Sequence, residues 1–203
     1  VVGVTIGAVA EAITLCEKTG ATPIFLDISK TDKLYSKLSK LNIDILVSNA
    51  GIGNGIEGLL TSSKKDIINS TKVNYESMLH LIKILVPKMV KKRNGHIFLI
   101  GSIAGLYPTD SAIYSSQKTA IHKIAQSLRI ELASSRVKLT EISPGRTNTS
   151  FGENIFSTKR RSSIDALLIL AHKAILCALY RCLHCFFTKI DEHLMKKIDF
   201  VTI

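Results

Sequence analysis

Tyr114 and Lys118 stand four residues apart at the start of a stretch with helical spacing, so their side chains share one face and reach the same ligand. A phenol with an ordinary pKa of about 10 is a poor acid or base at neutral pH. A nearby ammonium favours the phenolate, and an opposite charge within a few ångströms lowers a pKa by roughly 1–3 units. The pair therefore reads as a tuned acid/base. Of the five tyrosines, only Tyr114 has a lysine at that offset. Ser102 ends the preceding apolar run, and its hydroxyl is placed to hold a carbonyl oxygen while Tyr114 supplies the proton. Ala104 and Gly105 follow, small enough to leave room for a substrate.

The elements that must position these groups alternate short apolar runs with longer periodic ones, the pattern of repeated βα units on a parallel sheet. Strands are expected at Val1–Val4, Pro23–Leu26, Ile43–Val47, Ile97–Ile100, Val137–Ile142 and Ile198–Ile203. Helices are expected at Ala10–Lys18, closed by Gly20, and at Leu34–Leu41, Ile67–Val90, Tyr114–Leu132 and Ala166–Phe187. On the helix from Tyr114, Ile121, Ile124, Ala125, Leu128 and Leu132 form one apolar face. The fold class is α/β, a doubly wound, Rossmann-like parallel sheet in a single domain over 1–203. Ligands of such sheets bind at the carboxyl ends of the strands. Asp27, Asn49, Ser102 and Pro144 each follow a strand's last apolar residue and so converge on one rim.

Asn49-Ala50-Gly51, Val73-Asn74, Gly101-Ser102, Tyr114-Ser115-Ser116-Gln117-Lys118 and Pro144-Gly145-Arg146-Thr147-Asn148-Thr149 together resemble the ordered motifs of the short-chain dehydrogenase/reductase family. The resemblance runs over about residues 1–151. It implies an NAD(P)-dependent oxidoreductase that interconverts a carbonyl and a secondary alcohol by hydride transfer. Tyr114 would be the acid/base, Lys118 would tune it and bind the nicotinamide ribose, Ser102 would orient the substrate carbonyl, and Asn74 would support a water-mediated proton relay. Asn49, Ala50 and Gly51 would border the cofactor, and Asp27 and Ile28 would touch the adenine. Pro144 and Gly145 would border the cofactor, and Thr149 with the backbone near Thr147 would hold the nicotinamide amide. The polar stretch 151–165 resembles the substrate-covering loop, and 166–203 is a divergent helix and strand. Small-molecule carbonyls or alcohols are the implied partners, in a homo-oligomer when full-length, and the expected location is cytoplasmic.

The chain departs from the family at its front. The family's glycine-rich turn, which binds pyrophosphate at a helix N-terminus, is missing: Gly3 and Gly7 lack its spacing and precede the wrong strand. Val1–Val4 aligns with the family's second strand, so the expectation is a truncated first βα unit of roughly thirty residues and a sheet without its central strand. An acid after that strand would favour NAD; Thr5-Ile6 supplies none, which tilts the cofactor expectation from NAD to NADP. The competing reading is a catalytically silent relative whose fold serves as an interaction scaffold.

Composition narrows the remaining classes. The 203 residues are 46% hydrophobic, 21% charged and 6% aromatic with no Trp, which suits a core of aliphatic side chains on a parallel sheet. The net charge of +11 invites a nucleic-acid reading. The tight basic runs Lys91–Arg93 and Lys159–Arg161 lack interleaved aromatics for base stacking, so they read as solvated surface and no nucleic-acid partner is expected. Four cysteines, Cys16 alone and Cys177, Cys182 and Cys185 crowded together, make neither a disulfide framework nor a metal site. The apolar stretch 164–187 is broken by His172, Lys173, Arg181 and His184, short of the roughly 18 clean residues of a membrane span. Tyr107 reads as a loop aromatic that either shapes the substrate pocket or packs against it, and His122 as an exposed surface residue rather than a catalyst.

Overall fold

The computed structural model describes residues 2–5, 22–145 and 200–202. The chain divides into two compact units, 1–143 with 199–203, and 144–198. The expected helices Ala10–Lys18 and Ala166–Phe187, the loop 151–165, the basic run Lys159–Arg161 and all four cysteines lie outside the described residues.

The first unit is an α/β structure on a six-stranded sheet. Its strands are β1 (Val2–Thr5), β2 (Thr22–Phe25), β3 (Ile45–Ser48), β4 (His96–Ile100), β5 (Lys138–Ile142) and β6 (Phe200–Thr202), and every pairing is parallel. Parallel neighbours need crossovers, and helices supply them: α1 (Thr31–Leu38), α2 (Lys64–Thr71), α3 (Ser77–Lys92) and α4 (Ala112–Glu131). A five-residue π turn, Lys72–Glu76, joins α2 to α3. The strand order is β2-β1-β6-β3-β4-β5. The expectation of a sheet without a central strand is therefore corrected. β6 fills that place, Val201 pairing with Val2 on one side and Leu46 on the other.

Leu46, Ile97 and Leu99 from the sheet meet Leu34 and Leu38 of α1, Leu81, Leu85 and Met89 of α3, and Ile121 and Ala125 of α4 in one continuous core. The apolar face read from the sequence is the one that packs: Ile121, Ala125, Leu128 and Leu132 are buried and Ile124 lies against them. Ser63 caps α2, accepting from the Asp66 N–H at 3.1 Å. At the other end of the long helical run, Arg93 takes a left-handed φ of 53° and its N–H returns to the carbonyls of Met89 and Val90.

That geometry gives the basic run Lys91–Arg93 a structural task. Cations in a last helical turn complement its dipole, and the Lys92 ammonium ties the end of α3 to Asp44 Oδ1 (2.5 Å) and the Ile43 carbonyl (2.7 Å). Among the described residues, no helix is long and apolar enough to cross a membrane.

Candidate active site

β4 delivers Gly101 and Ser102 to the rim, and a 3-10 turn, Ile103–Gly105, folds straight back onto α4. The docking is close. Ser115 Oγ donates to the Ala104 carbonyl at 2.6 Å, and Thr119 Oγ1 donates to that of Gly105 at 3.1 Å. A Cβ on Gly105 would stand 2.6 Å from the Lys118 carbonyl carbon and oxygen, so only glycine lets the two backbones meet. The small residues at 104 and 105 thus serve helix packing rather than substrate room, since both are buried against α4.

This packing sets Ser102 beside Tyr114. Ser102 has extended backbone and its Oγ accepts from the Ala104 N–H at 3.1 Å. The same side chain hydrogen-bonds Tyr114. Burial pushes the Tyr114 phenol above its ordinary pKa, and the Ser102 bond opposes that rise without cancelling it. One turn along α4, Lys118 is only 6% exposed. Its ammonium donates to the Ile100 carbonyl at 2.8 Å and stands 5.7 Å from the Tyr114 ring centroid. Burial lowers the Lys118 pKa to about 8, with the Glu141 charge acting against it.

The expectation that the ammonium leaves Tyr114 easier to ionise is corrected here. Desolvation is the larger influence, and the phenol stays neutral at pH 7. A neutral, hydroxyl-bound phenol is a proton donor waiting for a developing oxyanion.

Asn74 lies in the π turn and is buried. Its Oδ1 accepts from the Ile52 N–H at 2.7 Å, and its Nδ2 donates to the Ile52 carbonyl (2.9 Å) and to Gln117 Oε1 (2.8 Å). The amide is fully committed to protein partners, so it pins the loop after β3 to α4. Gly51 lies against it, with space for a Cβ 3.4 Å from Asn74 Oδ1. Gln117 Nε2 continues the network to Ser70 Oγ at 3.1 Å and Thr71 Oγ1 at 3.3 Å.

The remaining expected residues fare differently. Asn49 is exposed at the end of β3, with Ala50 half-buried beside it. The Asp27 carboxylate accepts from the backbone and hydroxyl of Ser29, at 2.9 and 2.7 Å, which holds its pKa below the usual value. Ile28 is 2% exposed and its side chain belongs to the core. Pro144 and Gly145 follow β5 and open the second unit, whereas Thr147 and Thr149 lie outside the described residues. Tyr107 is exposed rather than packed.

Two participants escaped the sequence reading besides Gln117. His122, expected on the surface, is one-third exposed and bonds through Nδ1 to Glu141 Oε2 at 2.8 Å. Glu141 had a visible signal: it is a charge inside an apolar strand pattern just before Pro144-Gly145, and charges in parallel strands need partners.

Comparison with known proteins agrees with this architecture. A family model described as short chain dehydrogenase matches residues 2–160. An uncharacterized short-chain type dehydrogenase/reductase of Sinorhizobium fredii is 33% identical over 132 residues, covering 64% of this chain and 53% of that protein. A 3-oxoacyl-[acyl-carrier-protein] reductase of Buchnera aphidicola is 34% identical over 146 residues, covering 68% of this chain and 59% of its own. The chain thus spans little more than half the length of the curated relatives it matches. Among solved structures, a 3-oxoacyl (acyl-carrier-protein) reductase from Agrobacterium tumefaciens with NADP bound superposes with a TM-score of 0.64 at 27% identity, covering 75% of this chain and 62% of that one.

Proposed function

Because the chain belongs to the short-chain dehydrogenase family, we propose that it interconverts a carbonyl and a secondary alcohol with a nicotinamide dinucleotide, NADP in preference to NAD. The observation that carries the reading is the hydrogen-bonded Ser102–Tyr114 pair with the buried Lys118 amine one helical turn away. The donor set fits the nicotinamide ribose: an ammonium, a neutral phenol and a hydroxyl sit together where strand ends meet, with Asn49 exposed nearby. The cofactor, when bound, supplies or accepts the hydride.

The chain's own residues handle the proton. In the reducing direction Ser102 Oγ holds the carbonyl oxygen and Tyr114 gives its phenolic proton to that oxygen as charge develops. Lys118 stabilises the resulting phenolate, and the phenolate regains its proton from solvent to close the cycle. Asn74 contributes by fixing the loop of Asn49–Ile52 against α4, through the backbone bonds at Ile52. Tyr107, exposed on the loop beyond Ser102, is available to cover substrate.

NADPH oxidation by the full chain against a panel of aliphatic and aromatic ketones is the test. Tyr114→Phe is expected to lower kcat by about 100-fold or more, while NADPH affinity, read by fluorescence, stays within about threefold. Equal turnover in the variant sinks the assignment.

One observation favours a second reading, an interaction scaffold: β6, from the far end of the sequence, occupies the centre of the sheet. Saturable NADPH binding by the full chain rejects that reading.

A further inference from the structure

A carboxylate lies beneath the proton-transfer site and takes no part in the roles assigned so far. Glu141 is on β5 with a side chain only 7% exposed. His122 Nδ1 is 2.8 Å from its Oε2, and Ser143 Oγ donates to its Oε1 at 3.0 Å. A Cβ built on Gly101 would stand 2.7 Å from Oε1 and 2.9 Å from Ser143 Oγ, so the carboxylate fills the space a side chain at 101 would take. Gly101 directly follows Ile100, whose carbonyl accepts from the Lys118 ammonium. His122 is one turn beyond Lys118 on α4, so the imidazole that holds the carboxylate and the amine bound to the Ile100 carbonyl share one helix face.

We propose that Glu141 is a positioning residue for Lys118: held by His122 and Ser143 in the dry layer between β5 and α4, it keeps the Lys118 amine an ammonium at neutral pH. The reason is that a buried amine without a counter-charge gives up its proton. The groups facing Lys118 are the Ile100 carbonyl from β4, Glu141 from β5 and Tyr114 from its own helix. Those facing Glu141 are His122 and Lys118 from α4, Ser143 beyond β5 and Gly101 beyond β4. The neighbouring cations act elsewhere, Lys138 on His96 and Arg129 on the Leu139 carbonyl. His122 also meets Gln126 Nε2 at 3.0 Å, which orients the ring toward the carboxylate.

The consequence for turnover rests on the proposed function; the charge on Lys118 does not, and the test reads the charge directly. The full chain is labelled at lysine Cε with carbon-13, and the Lys118 resonance, assigned by its loss in Lys118→Arg, is titrated by NMR between pH 6 and 11. In Glu141→Gln the midpoint is expected to fall by about one pH unit or more. Glu141→Asp, which keeps the charge but draws it back, is expected to move the midpoint in the same direction by less, and it keeps the test open if the first variant does not fold. His122→Gln is expected to leave the midpoint in place. An unchanged or raised midpoint in both Glu141 variants overturns the proposal, and so does a fall in His122→Gln as large as that in Glu141→Gln. If the midpoint falls while the wild-type chain turns over no carbonyl, the proton-transfer reading fails and Glu141 keeps its role. In an active preparation, the limb of the rate profile set by Lys118 moves to lower pH with the same variant.

Discussion

Burial takes more proton affinity from Lys118 than Glu141 gives back, and that imbalance has a measurable sign. The amine titrates near 8 in the folded chain against 10.5 for an ordinary lysine. Between those values the unfolded chain holds the proton and the folded one has released it, so the unfolded state binds more protons and stability rises with pH. The full span is worth on the order of 3 kcal/mol, with the whole penalty present below about pH 8. Urea unfolding at pH 7.5 and 9.5 is expected to show this rise in the wild type and not in Lys118→Met. Tyr114, whose folded pKa is raised, adds stability that is complete below its ordinary value of 10 and is lost only as pH climbs through the folded one. It leaves that window untouched. That Ser102, Tyr114 and Lys118 lie together was legible in the sequence because strand ends and an i, i+4 spacing are local facts. Their ionisation was not, because it depends on how dry the site is.

At the level of elements, the site depends on two joints. The first is the 3-10 turn on α4, closed by Gly105. Gly105→Ala forces a methyl into the Lys118 carbonyl and is expected to cost about 1–3 kcal/mol in urea unfolding. The second is the Asn74 and Gln117 network. Gln117→Leu strips Ser70, Thr71 and Asn74 of a shared partner and is expected to cost about 1–3 kcal/mol. Gln117→Glu retains the acceptor toward Asn74 and is expected to recover part of the loss. Neither joint was readable beforehand. A continuous helix over Ile67–Val90 was the natural reading of the apolar spacing, yet the π turn at Lys72–Glu76 adds a residue to one coil and lets Asn74 bury its amide. Gln117 gained its partners from residues 43 to 47 positions away, a separation no local pattern reports.

For the whole molecule, alternation of strand and helix made the parallel α/β sheet legible, and strand bounds fell within two residues of expectation at all six described strands. The place of the last strand was not legible, because a strand's periodicity says nothing about its neighbours. Among the described residues, β6 alone joins the pair β2-β1 to the trio β3-β4-β5. Val201→Pro removes an N–H from a strand paired on both sides and is expected to cost more than about 3 kcal/mol, broadening or abolishing the cooperative urea transition.

That position also sets a clock. A ribosome finishes β5 long before it reaches Phe200, so the growing chain carries two unjoined pieces of sheet, each with an open edge facing the gap. Loop closure across such a separation is slow, and open edges recruit other strands. The nascent protein is therefore expected to be a client of chaperones until β6 emerges, and its yield in the cell to respond to their supply more steeply than its stability would suggest.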